Sequence, residues 1–389
     1  MMKLPPWPHF DDDEMATTAR VLNSGKVNYW TGEEGRHFER EFATYCGVDH
    51  AIALTNGTAA LEVALHALGL GPGDDVIVPS CTFIATASAA VMRGANPVVA
   101  DIDPESLNLT VNTIDAALTP RTRAIIVVHL AGWPCDLAPI IAYARQRGIY
   151  LIEDCAQAHG ATYRGQPVGS FGDVGAFSFC QDKIMSTGGE GGMIVTNNPT
   201  VWDRAWSFKD HGKSYDAVYN RNHPPGFRWL HESFGTNLRL TEMQSAIGRI
   251  QLTKLDGWVA KRRENAATFT AKLQSHPALH VPTPPDDCAH AYYKFYVYID
   301  LEQLRTDWDR QRLLSALAER GVPCFTGICT EIHREIAFAA PGLNVSDCPT
   351  AKAVGEQTLL FLVHPTLDAT HISWMADEFL DVLDNAIEQ

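Results

Sequence analysis

Apolar positions along this chain follow two spacings, and the switches between them outline its elements. Helical spacing runs through residues 14–22 and again through 38–45. From about residue 50, short apolar runs alternate with helical stretches. The pattern predicts strands at residues 51–54, 76–78, 97–100, 124–128, 149–153 and 192–196. It predicts helices at 58–68, 85–92 and 138–146. Strands alternating with helices in this way belong to a mostly parallel α/β sheet. A long helical stretch follows over 241–269, and Pro282, Pro284 and Pro285 end the pattern. Beyond them come an aromatic strand over 292–299 and a charged amphipathic helix over 310–320. The fold expected is α/β, with a large mostly parallel α/β/α domain (1–255) and a smaller C-terminal α+β domain (256–389). The long helix could belong to either part.

Composition narrows the partners. Of 389 residues, 46% are hydrophobic and 20% charged, an ordinary globular balance. The formal net charge of −15 argues against nucleic acid or an anionic membrane as partner. A polyanionic substrate must then be met by a local pocket. The start, Met1 to Pro8 and then Asp11-Asp12-Asp13-Glu14, lacks a basic-then-apolar signal. No apolar run approaches the roughly eighteen residues of a membrane span. Nine cysteines without a Cys-x-x-Cys pair or zinc spacing read as free thiols of a cytoplasmic protein, and no metal is expected. Cys324 and Cys329 stand closest together; a redox role for them is the weaker reading.

The most informative stretch is Ser178-Phe179-Cys180-Gln181-Asp182-Lys183-Ile184-Met185-Ser186-Thr187-Gly188-Gly189-Glu190-Gly191-Gly192. It sets Lys183 between an apolar run and a glycine-rich turn. A lysine there can form a Schiff base with a carbonyl cofactor, and glycine lets the backbone come close to a bulky group. The plain alternative is a surface lysine. Asp154 ends the strand expected over 149–153, where open α/β sheets bind ligands. A carboxylate there can hold a pyridinium nitrogen protonated; the alternative is a helix N-cap. Gln157, three residues on, could donate to a phenolate oxygen. Together these features point to pyridoxal phosphate. Asn56-Gly57-Thr58 passes from strand to helix and offers amides and a hydroxyl to a phosphate, or an ordinary cap by Thr58. Phe83 could stack on a cofactor ring or simply fill the core.

With these residues in view, the chain resembles the DegT/DnrJ/EryC1/StrS group of sugar aminotransferases within the fold-type-I pyridoxal phosphate enzymes. The resemblance runs through Phe38-Glu39-Arg40-Glu41-Phe42, Asn56-Gly57-Thr58-Ala59-Ala60-Leu61 and Pro79-Ser80-Cys81-Thr82-Phe83-Ile84-Ala85-Thr86. It continues through Glu153-Asp154-Cys155-Ala156-Gln157-Ala158-His159-Gly160 and Gly169-Ser170-Phe171-Gly172-Asp173. The lysine segment, Gly235-Thr236-Asn237-Leu238-Arg239-Leu240 and Leu362-Val363-His364-Pro365 complete it. The resemblance implies that Lys183 is the Schiff-base lysine and proton shuttle, Asp154 the partner of the pyridine nitrogen, and Gln157 the contact of the ring hydroxyl. Phe83 takes the place of the stacking aromatic. Gly57, Thr58 and Ser178 would hold the phosphate, joined by Asn237 from a neighbouring subunit, which implies a homodimer.

Two segments depart from the family pattern. Cys180-Gln181-Asp182 stands where relatives often carry His-Pro, and residues 323–333 replace a His-Tyr-x-Pro-like text in the region of substrate contacts. The retained lysine favours aminotransfer over the dehydration run by members with histidine in its place. The resemblance implies a ping-pong reaction through pyridoxamine phosphate. L-Glutamate or L-glutamine would be the donor, and a 4-keto-6-deoxy sugar on a nucleoside diphosphate the acceptor. A 3-keto sugar or keto-cyclitol is the runner-up. His211, Lys209, Arg228 and His333 are candidates for the diphosphate or sugar hydroxyls, each against an ordinary solvated role. Rival readings are a non-catalytic regulator and a lyase of the cysteine desulfurase kind using Cys324 or Cys329.

Overall fold

The structure, a computed structural model, describes residues 2–340, 343 and 346–387. Its central sheet has seven strands: β1 (His50–Leu54), β2 (Asp75–Pro79), β3 (Asn96–Ala100), β4 (Thr122–Val128), β5 (Tyr150–Asp154), β6 (Val174–Ser178) and β7 (Gly192–Thr196). Their order is β1-β7-β6-β5-β4-β2-β3. Strand β7 runs antiparallel to both neighbours, and every other pairing is parallel. The apolar run before Lys183 is thus itself a strand, β6.

Side chains of successive strand residues point to opposite faces, and both faces are covered. Ile52, Leu54, Val76, Val78 and Ile126 pack with Leu61 and Leu65 on one side. Ala51, Ala53, Phe177 and Met193 meet Phe38 and Phe42 on the other. Burial on both faces explains why these strands read as continuous apolar runs rather than alternating ones. The result is the expected α/β/α layering. It brings the C-terminal ends of β4, β5 and β6 to one edge.

Past the sheet, Thr241 caps a 32-residue helix, Glu242–Leu273. Four further strands, β8 (Leu279–His280), β9 (Phe295–Ile299), β10 (Cys324–Phe325) and β11 (Thr358–Phe361), form an antiparallel sheet in the order β8-β9-β11-β10. Its aromatic core joins Phe269, Phe295, Phe361 and Phe379. The aromatic strand starts three residues later than expected, because Tyr292 takes a left-handed backbone (φ 48°). Strand β11 and the last helix, Ala369–Asp384, were not predicted. The long helix serves both cores: Leu255 and Val259 face the first, and Ala266, Phe269 and Leu273 the second. We place the boundary expected near residue 255 within this helix.

One expected ligand contact is part of the fold instead. Lys209 is fully buried, pairs with Glu39 at 3.1 Å and lies 3.8 Å from the centroid of the Tyr29 ring. Glu39 also accepts from Tyr29 Oη and the Ala53 amide. Burial pushes the Lys209 ammonium down, and Glu39 opposes this. Lys209 therefore ties the helix Pro199–Lys209 to the helix Glu34–Cys46, and through Glu39 to β1, and has no exposed surface to offer a substrate. Lys209→Met is expected to lower the unfolding free energy by about 3 kcal/mol, since it strands a buried carboxylate. Urea unfolding checks this; a loss under about 1 kcal/mol would show that the pair is not structural.

Candidate active site

The C-terminal edge of the large sheet opens into a cavity of ≈ 740 Å³. That volume suits a cofactor together with part of a substrate. Gly57, Thr58, Phe83, Asp154, Gln157, Ser178 and Lys183 all line it. Residues far apart in sequence meet here because parallel strands deliver their ends to one edge.

Asp154 sits at the end of β5 and is buried. Its Oδ2 accepts from Thr86 Oγ1 at 2.9 Å and its Oδ1 from the Ala156 amide at 3.1 Å. No helix follows directly, so the N-cap alternative fails. Burial pushes its carboxyl up; the Ala156 amide, Thr86 and the charge of Lys183 oppose this only in part. Among the described residues no lysine, arginine or histidine nitrogen lies within ion-pair distance of it. A buried carboxylate in that state favours an incoming cationic N–H.

The neighbouring Glu153 points the other way, into the protein. Its oxygens accept from the amides of Gly169, Phe171 and Gly172 at 2.7–2.8 Å and meet His129 Nε2 at 3.0 Å. The Cys135 amide donates to His129 Nδ1, so the ring proton sits on Nε2 and is given to Glu153. This buried set fixes the end of β5 and with it the direction of Asp154. Gln157 Oε1 accepts from the Ala131 amide at 2.8 Å, which leaves its NH2 group as the free donor.

The phosphate-type end is built by the helix Gly57–Ala67. Asn56, not Thr58, is its N-cap and accepts from the Ala59 amide at 2.8 Å. The amides of Gly57 and Thr58 therefore remain without an intrahelical acceptor at a positive helix end. Ser178 closes on this turn: a Cβ on Gly57 would lie 2.6 Å from Ser178 Cβ. Glycine is needed there for close approach.

Lys183 lies on the loop after β6. Its amide donates to Cys180 O, and its carbonyl accepts from Trp7 Nε1 at 2.9 Å. Its Nζ stands 5.0 Å from the centroid of the Tyr293 ring. Tyr293 donates its hydroxyl to Asp182. Burial would raise Asp182, but Lys183 and Tyr293 outweigh it and hold the carboxyl below its usual range. Phe83 is 63% exposed at the cavity, free to cover a planar ring. A buried carboxylate awaiting a cation, unpaired amides beside two hydroxyls and a lysine between them fit pyridoxal phosphate.

Other expected residues lie elsewhere. Asn237, His211 and Arg228 are exposed and outside the lining of this cavity. The side chain of His333 is largely buried, 3.8 Å from Glu331, and also outside the lining. Among the described residues all nine cysteines are unpaired. Burial pushes Cys324 up to about 12 and raises Cys329. Neither thiol is an activated nucleophile. Trp7, Thr86, Tyr293 and Lys294 were not picked out from sequence. Thr86 stood inside a quoted motif; the other three carry no local signal.

Fold and site define a fold-type-I transferase of the pyridoxal phosphate class. The chain belongs to the DegT/DnrJ/EryC1/StrS aminotransferase family, whose sequence model matches residues 8–379. It is an aminotransferase. A solved aminotransferase from Psychrobacter cryohalolentis is 50% identical and superposes with a TM-score of 0.96, covering 99% of this chain and 100% of that one. The dTDP-3-amino-3,4,6-trideoxy-alpha-D-glucose transaminase of Streptomyces venezuelae is 37% identical over 91% of this chain and 87% of its own length. The dTDP-4-dehydro-2,3,6-trideoxy-D-glucose 4-aminotransferase of Saccharopolyspora spinosa is 33% identical over 98% and 97%.

The raised Asp154 carboxyl gives a test. Its folded form binds a proton more tightly than the unfolded chain does. Its stabilising contribution is present in acid and lost as pH rises through the folded value. Cofactor-free Asp154→Asn is thus expected to melt at pH 7 no lower than wild type, while its pyridoxal phosphate affinity falls at least about tenfold. A variant that melts lower yet binds the cofactor normally would contradict this assignment.

Proposed function

We propose that this enzyme moves an amino group from L-glutamate or L-glutamine to a keto sugar carried on a nucleoside diphosphate, with pyridoxal phosphate as cofactor. The observation that carries the reading is the convergence of Lys183, Asp154 and the Gly57–Thr58 helix end in one cavity. When bound, the cofactor supplies an electrophilic carbonyl and a ring that accepts electrons. Asp154 would hold the proton on the ring nitrogen, and the Gln157 amide would meet the ring oxygen. Gly57, Thr58 and Ser178 would bind the phosphate, and Phe83 would cover the ring. Lys183 Nζ would hold the cofactor's carbonyl carbon. As a free amine, it would take a proton from the donor α-carbon and later return one to the former carbonyl carbon of the sugar. Trp7 and the Asp182–Tyr293 pair hold the loop that aims it.

The acceptor we favour is a 4-keto-6-deoxy sugar. The cavity wall from the C-terminal elements, Tyr296, Phe325, Ile328, Leu360 and Leu362, is mostly apolar and suits a ring short of hydroxyls. A 3-keto sugar is the second reading, supported by the 3-amino product named for the Streptomyces relative. The working unit we propose is a homodimer in the cytoplasm. Asn237 lies just beyond Phe227, Trp229 and Phe234 in sequence, residues that are 81%, 86% and 100% exposed. Such an apolar surface calls for a covering partner, and Asn237 would complete the partner's phosphate site. His211 and Arg228 share that surface and would reach the partner's substrate. Among the described residues no helix is long and apolar enough to cross a membrane.

The test is turnover with pyridoxal phosphate, L-glutamate and a nucleotide-linked 4-keto-6-deoxy sugar. 2-Oxoglutarate and a nucleotide amino sugar are expected by mass spectrometry. Lys183→Ala should lower turnover by at least about a thousandfold. Sulfide release from cysteine without amino-sugar formation would instead mark a lyase.

A further inference from the structure

Both substrates of the proposed reaction are anions, yet the cavity offers few cations to meet them. Of its charged lining residues, Asp154, Asp182 and Glu190 are acidic; only Lys183 and Lys294 are basic. Lys183 is committed to the cofactor, which leaves one ammonium. Lys294 lines both the main cavity and a second one of ≈ 380 Å³, to which Met2, Leu4, Pro5, Pro6 and Trp7 also contribute. Among the described residues no carboxylate lies within 4.0 Å of its Nζ. The nearby carboxylate, Asp182, is engaged by the Tyr293 hydroxyl. A half-buried ammonium kept without a counter-ion costs free energy unless a ligand supplies the opposite charge. Burial lowers its pKa to about 8, with Asp182 opposing and Arg262 and Lys183 adding to the shift, so it is mainly charged at neutral pH.

Its position tells which anion it meets. Lys294 Nζ and Lys183 Nζ lie 4.8 and 5.0 Å from the centroid of the same Tyr293 ring. Both ammoniums thus border one ring, so an anion held by Lys294 lies in the neighbourhood of Lys183 and of the carbon that Lys183 would deprotonate. The α-carboxylate of an amino donor is bonded directly to that carbon. A sugar diphosphate is separated from the keto carbon by the sugar ring and belongs nearer the cavity mouth. We propose that Lys294 is the anchor for the α-carboxylate of the amino donor, a role that rests on the aminotransferase reading above.

The test uses the protein loaded with pyridoxal phosphate. The visible cofactor band is followed during titration with L-glutamate, and binding of dTDP and UDP is measured by calorimetry. Lys294→Gln and the isosteric Lys294→Met should keep the band and bind the nucleotides as wild type does. Their half-saturating glutamate concentration should rise at least about tenfold. Lys294→Arg, which keeps the charge, should stay within about threefold of wild type. Unchanged glutamate saturation in the Gln and Met variants would overturn the proposal. Lost nucleotide binding with normal glutamate saturation would overturn it too, by assigning the cation to the diphosphate. A wild-type protein that takes up no cofactor would fail earlier, at the reading on which this one rests.

Discussion

The carboxylate of Asp154 is buried at the end of a parallel strand with neutral donors around it, and the rest of the site is arranged about that charge. Thr86 and the Ala156 amide orient it without neutralising it. Behind it, Glu153 is held by three amides and His129, so β5 cannot turn at this point. A buried, rigid anion facing a cavity is costly in the empty protein and favourable against a protonated ring nitrogen. Stability is given up locally in exchange for binding, as is common where function and folding compete.

The parallel sheet makes this arrangement reachable. Its strands set Asp154, Ser178 and the Gly57 helix end on one edge, and the close approach of Gly57 to Ser178 fixes the span between phosphate-type donors and carboxylate. The opposite wall comes from the C-terminal elements. Tyr293 links the two halves, with its ring beneath Lys183 and its hydroxyl on Asp182. The sheet edge thus carries Asp154, Thr58 and Ser178, while an apolar part of the cavity wall comes from Tyr296, Phe325, Ile328, Leu360 and Leu362.

Much of this was legible in the sequence, for a physical reason. Strands buried on both faces are continuous apolar runs, and the glycine turn after Lys183 marks close approach of the backbone, to Thr187 at Gly191 and to the Asn56 carbonyl at Gly192. Errors arose where a residue's neighbour was distant in sequence. Lys209 reads as a surface lysine until Glu39, 170 positions away, is found beside it. Thr58 reads as a cap until Asn56 is seen to supply it. The apolar run 358–363 gave no periodicity from which to assign a strand, and only pairing with β9 and β10 makes Thr358–Phe361 one. Trp7 and Lys294 gain their meaning from Lys183, which neither precedes nor follows them closely. Asn237 lies outside the cavity in which the resemblance gave it a role.

The central claim is that Lys183 carries the cofactor. The most direct measurement is borohydride reduction of the protein with pyridoxal phosphate, followed by peptide mass mapping. The account predicts one pyridoxyl label, on the peptide containing Lys183. A label confined to Lys294 or a surface lysine, or none at all, would contradict it.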